Sequence, residues 1–150
     1  MPRKYKHGEV IHGYTIRRDD FHLSGAMALS YAAQDKSGTK VFFKQYKSPT
    51  LRVSWYPDYV AYQKELKRRV DNDPILNVFC YEMLDFFEHK KNYHQVFEWI
   101  DASQDLSKIL EAVSTGGGPD FGQRVILAKQ LMSRISVLHD ANIVHADLKR

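Results

Sequence analysis

With 150 residues, 43% of them hydrophobic and 27% charged, the chain falls in the range of globular domains, which excludes wholesale disorder and collagen- or mucin-like repeats. Twenty-two Lys and Arg against eighteen Asp and Glu leave a formal charge of +4; acidic residues interrupt the basic clusters as on solvated faces, and no nucleic-acid-binding signature accompanies them. One cysteine, Cys80, excludes a disulfide framework, the basic start leads into no apolar run, and nothing approaches the ~20 apolar residues that span a bilayer, so a cytoplasmic domain is expected.

Residues 1–13 read as an N-terminal extension. Strands are predicted over residues 14–16, 29–33 and 41–46, where aromatic and β-branched residues gather between polar turns. Asp35-Lys36-Ser37-Gly38 is a turn signal, so the second and third of these strands form a hairpin. After Ser48-Pro49-Thr50, Asp58 is placed to cap a helix over residues 59–70, and Asp71-Asn72-Asp73-Pro74 is read as its stop. Two more strands, over residues 78–87 and 93–99, flank the charged turn at residues 88–92; Cys80 falls in the first of them, buried and inert.

Beyond residue 100 the period lengthens. Residues 103–113 predict a short helix, Gly116-Gly117-Gly118-Pro119 a break, and residues 121–140 a long helix on which Leu127, Leu131, Ile135 and Leu138 form an apolar stripe. Strands first and helices later make this an α+β chain. None of the histidines has metal-ligand spacing.

Four features fall in order along the sequence. Leu23-Ser24-Gly25-Ala26-Met27-Ala28 links two strands, Lys44 ends the apolar run Val41-Phe42-Phe43, Glu65 lies on the following helix, and Ile143-Val144-His145-Ala146-Asp147-Leu148-Lys149 follows the long helix. Each member also has a plainer reading: Lys44 as a lysine laid along a strand with its head in water, Glu65 as one side of an exposed helix salt bridge, Asp147 as a turn aspartate, and His145 as a packing residue.

As an ordered set they resemble the eukaryotic-type serine/threonine protein kinases, from about residue 14 to the end of the chain. The resemblance implies a small lobe over residues 14–100, with a five-stranded antiparallel sheet and one regulatory helix, and the start of a large lobe over residues 101–150. It implies ATP held between the lobes and transfer of its terminal phosphoryl group to a protein hydroxyl. The catalytic residues would be Lys44 on the phosphates, Glu65 paired with it, Asp147 as the base and Lys149 neutralising the transferred group. The nucleotide would lie against Leu23, Gly25, Ser30, Phe42 and Lys44, against the hinge Phe97, Glu98 and Ile100 with Phe97 as gatekeeper, and on Asp105 at the ribose. Magnesium ligands are expected past residue 150, with none in this chain.

The sequence departs from the family pattern in several places. Only Gly25 remains of three loop glycines, Ser30 replaces a valine, Phe42 a small residue, Ala146 the arginine before the base, and Arg150 a proline. Weak or unusual ATP binding follows as an expectation. Residues 121–140 need a cover from the rest of a large lobe or another chain, and the 150 residues alone are expected to be inactive. Two alternatives stay open: a pseudokinase acting as a binding or scaffolding module, and a kinase-like phosphotransferase acting on a small molecule. No nucleic-acid or membrane partner is expected.

Overall fold

Alternation in two adjacent strands sets the architecture. The computed structural model describes residues 2–49, 54–101 and 106–144. Strand β4, Ala28–Gln34, runs antiparallel to β5, Lys40–Pro49, and the turn between them is the predicted one. Asp35 Oδ1 accepts hydrogen bonds from the backbone N–H of Ser37 (2.9 Å) and Thr39 (2.8 Å), and Gly38 takes the left-handed φ of 88° that closes the turn. Side chains alternate between faces. Leu29, Tyr31, Ala33, Val41 and Phe43 therefore share one face, and Val96 of β7, paired with Phe43, joins them in the core.

Short strands complete the sheet: β1, Val10–Ile11; β2, Tyr14–Ile16; β3, His22–Ser24; β6, Met83–His89; and β7, Asn92–Glu98. All pairings are antiparallel in the order β1-β2-β4-β5-β7-β6, with β3 added beside β4. The chain is thus mixed α and β, with seven strands among the described residues where five were expected. The additional strands, two and three residues long, are too short to show a period of two in the sequence. The sheet curls, and the Tyr14 hydroxyl on β2 donates to Asp85 Oδ2 on β6 across 3.2 Å.

The first thirteen residues are not an appendage. Tyr5, 3% exposed, and Ile11, 2% exposed, enter the core cluster, and the Tyr5 N–H donates to the Tyr31 hydroxyl (3.2 Å). The strap is held further by Gln45 Nε2 donating to the Arg3 carbonyl (3.1 Å) and by the Gly8 N–H donating to the Ile16 carbonyl (2.8 Å). Tyr5 is a single ring between two lysines and Ile11 one of a pair with Val10, so no periodic pattern announced them.

Helix α1, Tyr56–Asn72, starts earlier than predicted, and Asp58 lies inside its first turn, complementing the helix dipole instead of capping it. Asp73-Pro74, read as a stop, begins a new helix. Asp73 Oδ1 accepts from the N–H groups of Ile75 (2.9 Å) and Leu76 (3.1 Å), capping α2, Pro74–Phe79. The strand expected from residue 78 accordingly begins at Met83, and Cys80, half-buried, sits in the bend before it.

Contacts divide the chain into two units, residues 1–72 with 80–99, and residues 73–79 with 100–150. The second contains α2, α3 (Leu106–Ser114) and α4 (Phe121–Asp140). A reciprocal capping box starts α4 at the predicted residue: the Gln123 N–H donates to Asp120 Oδ1 (2.8 Å), and the Asp120 N–H to Gln123 Oε1 (2.9 Å). Within this unit α2 packs on α4, with the Arg134 guanidinium 5.5 Å from the Phe79 ring centre. No residue of α4 is buried; Leu127, Ile135 and Leu138 are half-buried, while Leu131 and Met132 stand exposed.

Candidate functional site

The sheet face opposite the core carries most of the residues singled out by sequence. Directly opposed residues in an antiparallel pair share a face. The registers Leu23↔Ser30, Ser30↔Lys44, Lys44↔Gln95 and Gln95↔Phe86 therefore draw one row across the sheet. A second row runs Ala32↔Phe42↔Phe97. Leu23, Ser30, Phe42, Lys44 and Phe97, far apart in sequence, are brought together here by strand register.

Lys44 is half-buried, and its ammonium lies 5.9 Å from the centre of the Phe97 ring. None of the ion pairs among the described residues includes it. Burial alone pushes its pKa below the ordinary lysine value, with no neighbouring charge offsetting that shift.

The expected Lys44–Glu65 ion pair is not formed. Glu65 is exposed on α1 and bound to Arg68, with Nη2–Oε1 at 2.6 Å and Nε–Oε2 at 2.8 Å; that guanidinium holds its carboxyl below the usual range. Helix geometry explains the correction. Tyr59, Gln63, Leu66 and Val70, spaced by four, three and four, form the stripe that is removed from solvent, and Glu65 lies off it. The contact with the sheet belongs to Gln63, whose Oε1 accepts from Gln95 Nε2 (2.7 Å). Tyr46 donates its hydroxyl to Gln95 Oε1 (2.7 Å), and Tyr59 donates to the Tyr46 hydroxyl (3.0 Å). Gln63 and Gln95 were missed by sequence reasoning that followed charge; the apolar spacing of residues 59, 66 and 70 points to Gln63.

The loop between β3 and β4 needs no left-handed residue: positions 23–28 include none with positive φ, and a Cβ added at Gly25 would lie 3.4 Å from the Ala28 carbonyl oxygen, an ordinary contact. The missing loop glycines therefore cost this backbone nothing. Lys47 holds the loop instead, its ammonium donating to the Gly25 carbonyl and its N–H to the Met27 carbonyl (2.9 Å).

Near the end of β7, the Glu98 N–H donates to the Glu82 carbonyl (3.0 Å), and Glu98 Oε1 accepts from the Glu82 N–H (2.9 Å). Trp99 packs against Phe21 and Phe42, at centroid distances of 5.8 and 6.5 Å, with the Lys40 ammonium 4.0 Å from its ring centre. The Phe42 ring thus joins an aromatic cluster on the face where a small residue was the family expectation. Ile100 is exposed and belongs to the other unit. Asp105, His145, Ala146, Asp147 and Lys149 lie outside the described residues.

Among the described residues no group of three His, Cys, Asp or Glu side chains could hold a metal ion, and no helix is long and apolar enough to cross a membrane. Comparison with models of protein families and with curated proteins returns no match.

Proposed function

We propose that the chain is the nucleotide-binding part of a protein-kinase-like phosphotransferase of the serine/threonine type, with Lys44 as its phosphate anchor. One observation carries this reading: a half-buried ammonium, on a rigid central strand, that no carboxylate among the described residues compensates. A cation held away from water without a partner is stabilised by an anion that enters beside it, and a nucleotide phosphate supplies that charge. The neighbouring aromatic side chains of Phe21, Phe42 and Trp99 offer ring faces for a base. The described residues suit the phosphate end of ATP and offer no group of three His, Cys, Asp or Glu side chains for magnesium.

In this reading Lys44 fixes the phosphates, Asp147 orients the acceptor hydroxyl of a protein serine or threonine and takes its proton, and Lys149 balances charge on the transferred group. The roles of Asp147 and Lys149 come from the sequence resemblance. A second reading, a pseudokinase that binds nucleotide without transfer, is favoured by the engagement of Glu65 with Arg68.

Thermal unfolding of the 150-residue chain with ATP tests the anchor. Ligand at ten times its Kd stabilises the native state by ~1.4 kcal/mol. The midpoint is expected to rise with ATP in the wild type and to stay fixed in Lys44→Met; equal shifts in both, or none in the wild type at millimolar ATP, would refute the reading. Glu65→Gln separates the alternatives. If Glu65 exchanges Arg68 for Lys44 when nucleotide binds, affinity falls about tenfold, the scale of one charge-assisted hydrogen bond. If it stays with Arg68, affinity is unchanged and the pseudokinase reading holds.

A further inference from the structure

On the core face of the same sheet, beside the N-terminal strap, lies a histidine that nucleotide binding does not use. His94 on β7 is fully buried, at 0% exposure. Its Nε2 shares a 2.9 Å hydrogen bond with the Tyr5 hydroxyl, and the two rings stack at a centroid distance of 5.9 Å. Its Nδ1 has no hydrogen-bond partner among the described residues. Phe43 and Phe87 close over the rest of the ring, at 5.6 and 5.1 Å.

We propose that His94 is an acid-sensitive latch for the N-terminal strap, residues 2–9, which closes while the imidazole is neutral and opens when it is protonated. Neutral imidazole has one acceptor nitrogen, and where this is Nε2 it accepts the hydrogen bond that the Tyr5 hydroxyl donates. Imidazolium carries N–H groups on both nitrogens. Nε2–H then faces the hydroxyl that had donated to it, which must turn to accept, and the charge sits in an apolar core where the Asn92 and Phe87 backbone favours it less than burial disfavours it. Lifting the strap removes Tyr5 from the ring and admits water, so the open form tolerates the charge that the closed form does not.

The groups around His94 do not offset this. Tyr5 faces it from the strap, Gln45 stands opposite on β5, and from β6 comes His89, at 6.1 Å between ring centres. His12 stacks on the far side of Phe87, at 4.1 Å. Burial, followed by the proximity of Lys90, pushes His89 down as well. Burial pushes the Glu9 carboxyl up, but its bonds to Arg3 and to the Lys6 N–H outweigh that and hold it below the usual range. Burial lowers His94 itself from 6.5 to about 4, against weaker opposing contributions from the Asn92 and Phe87 backbone.

The sign follows from which form binds the proton more tightly. The folded value is depressed, so the latch is at full strength above pH 6.5 and weakens as pH falls toward about 4. Over that window the opening constant grows about tenfold per pH unit. On the strap's outer side His7 Nδ1 lies 3.0 Å from Asp19 Oδ2.

Amide hydrogen exchange between pH 7.5 and 4.5, expressed as protection factors to remove the intrinsic pH dependence, tests the latch. The Tyr5 and Gly8 amides are expected to lose about tenfold protection per unit below pH 6.5, while the Phe43 and Val96 amides in the central strands keep theirs. His94→Gln should abolish this dependence and His89→Gln should retain it. Tyr5→Phe, which removes only the hydroxyl and keeps the ring, should lower Gly8 protection already at neutral pH, and this holds the proposal to account if His94→Gln does not fold. Strap protection flat with pH, a parallel loss across the central strands, persistence of the response in His94→Gln, or unchanged Gly8 protection in Tyr5→Phe would each overturn it.

Discussion

Replacing Phe43 by alanine is expected to destabilise the sheet unit by about 3–5 kcal/mol, the range for removing a buried aromatic ring. Phe43 is 0% exposed and lies at the centre of an aromatic group, with Tyr5, Tyr14, Phe87 and His94 at centroid distances of 6.2, 6.0, 6.0 and 5.6 Å. These partners come from the strap and from the two sides of the curl, so no single neighbour can relax into the space. Against a typical domain stability of about 5–15 kcal/mol, this is a large part of the total. Urea unfolding followed by aromatic fluorescence measures it; a loss below about 1 kcal/mol would mean that the strap and sheet do not share this core.

The second large effect concerns the docking of α1. Gln95 is 2% exposed and bonds both Tyr46 and Gln63. Leucine keeps nearly the same volume but strands the Gln63 carbonyl and the Tyr46 hydroxyl, at a cost of about 1–3 kcal/mol. Glu65→Gln, in contrast, breaks only an exposed pair with Arg68 and should leave the unfolding midpoint where it was. The comparison is sharp because a charge-based account of helix docking reverses the ranking. Equal effects, or a larger one at Glu65, would show that the helix is held through its acid and not through the neutral amide pair.

What could be read from the sequence follows from how local each signal is. The β4–β5 turn was legible because Asp35 and Gly38 act within five residues, and α4 because its apolar spacing and its start at Phe121 are features of one segment. The cap of α2 was visible but ambiguous, since Asp-Pro ends one helix and begins the next with the same chemistry. Strands β1 and β3 are recognisable only by their partners, and Tyr5 only by the cavity it fills. Lys44, Ser30 and Leu23 could be named from their order along the chain, but their shared row depends on register. Glu65 failed for a physical reason: charge marked the residue, whereas the angular position that faces the sheet belongs to Gln63. At Gly25 the sequence marked a glycine whose backbone does not require one.

Tyr5 and His94 lie far apart in sequence and neither carries a pattern, yet their contact places a titratable ring at the base of the segment that covers the core.

Lys44 is a half-buried cation that no carboxylate among the described residues compensates, and an NMR pH titration of its side-chain ammonium tests its role most directly. Without ligand the group is expected to titrate below ordinary lysines, because burial disfavours its charge. With ATP added it should titrate higher, because the phosphate supplies the missing negative charge, and nucleotide affinity should fall as pH rises past the ligand-free value. A titration at the ordinary lysine position, unmoved by ATP, would contradict the account.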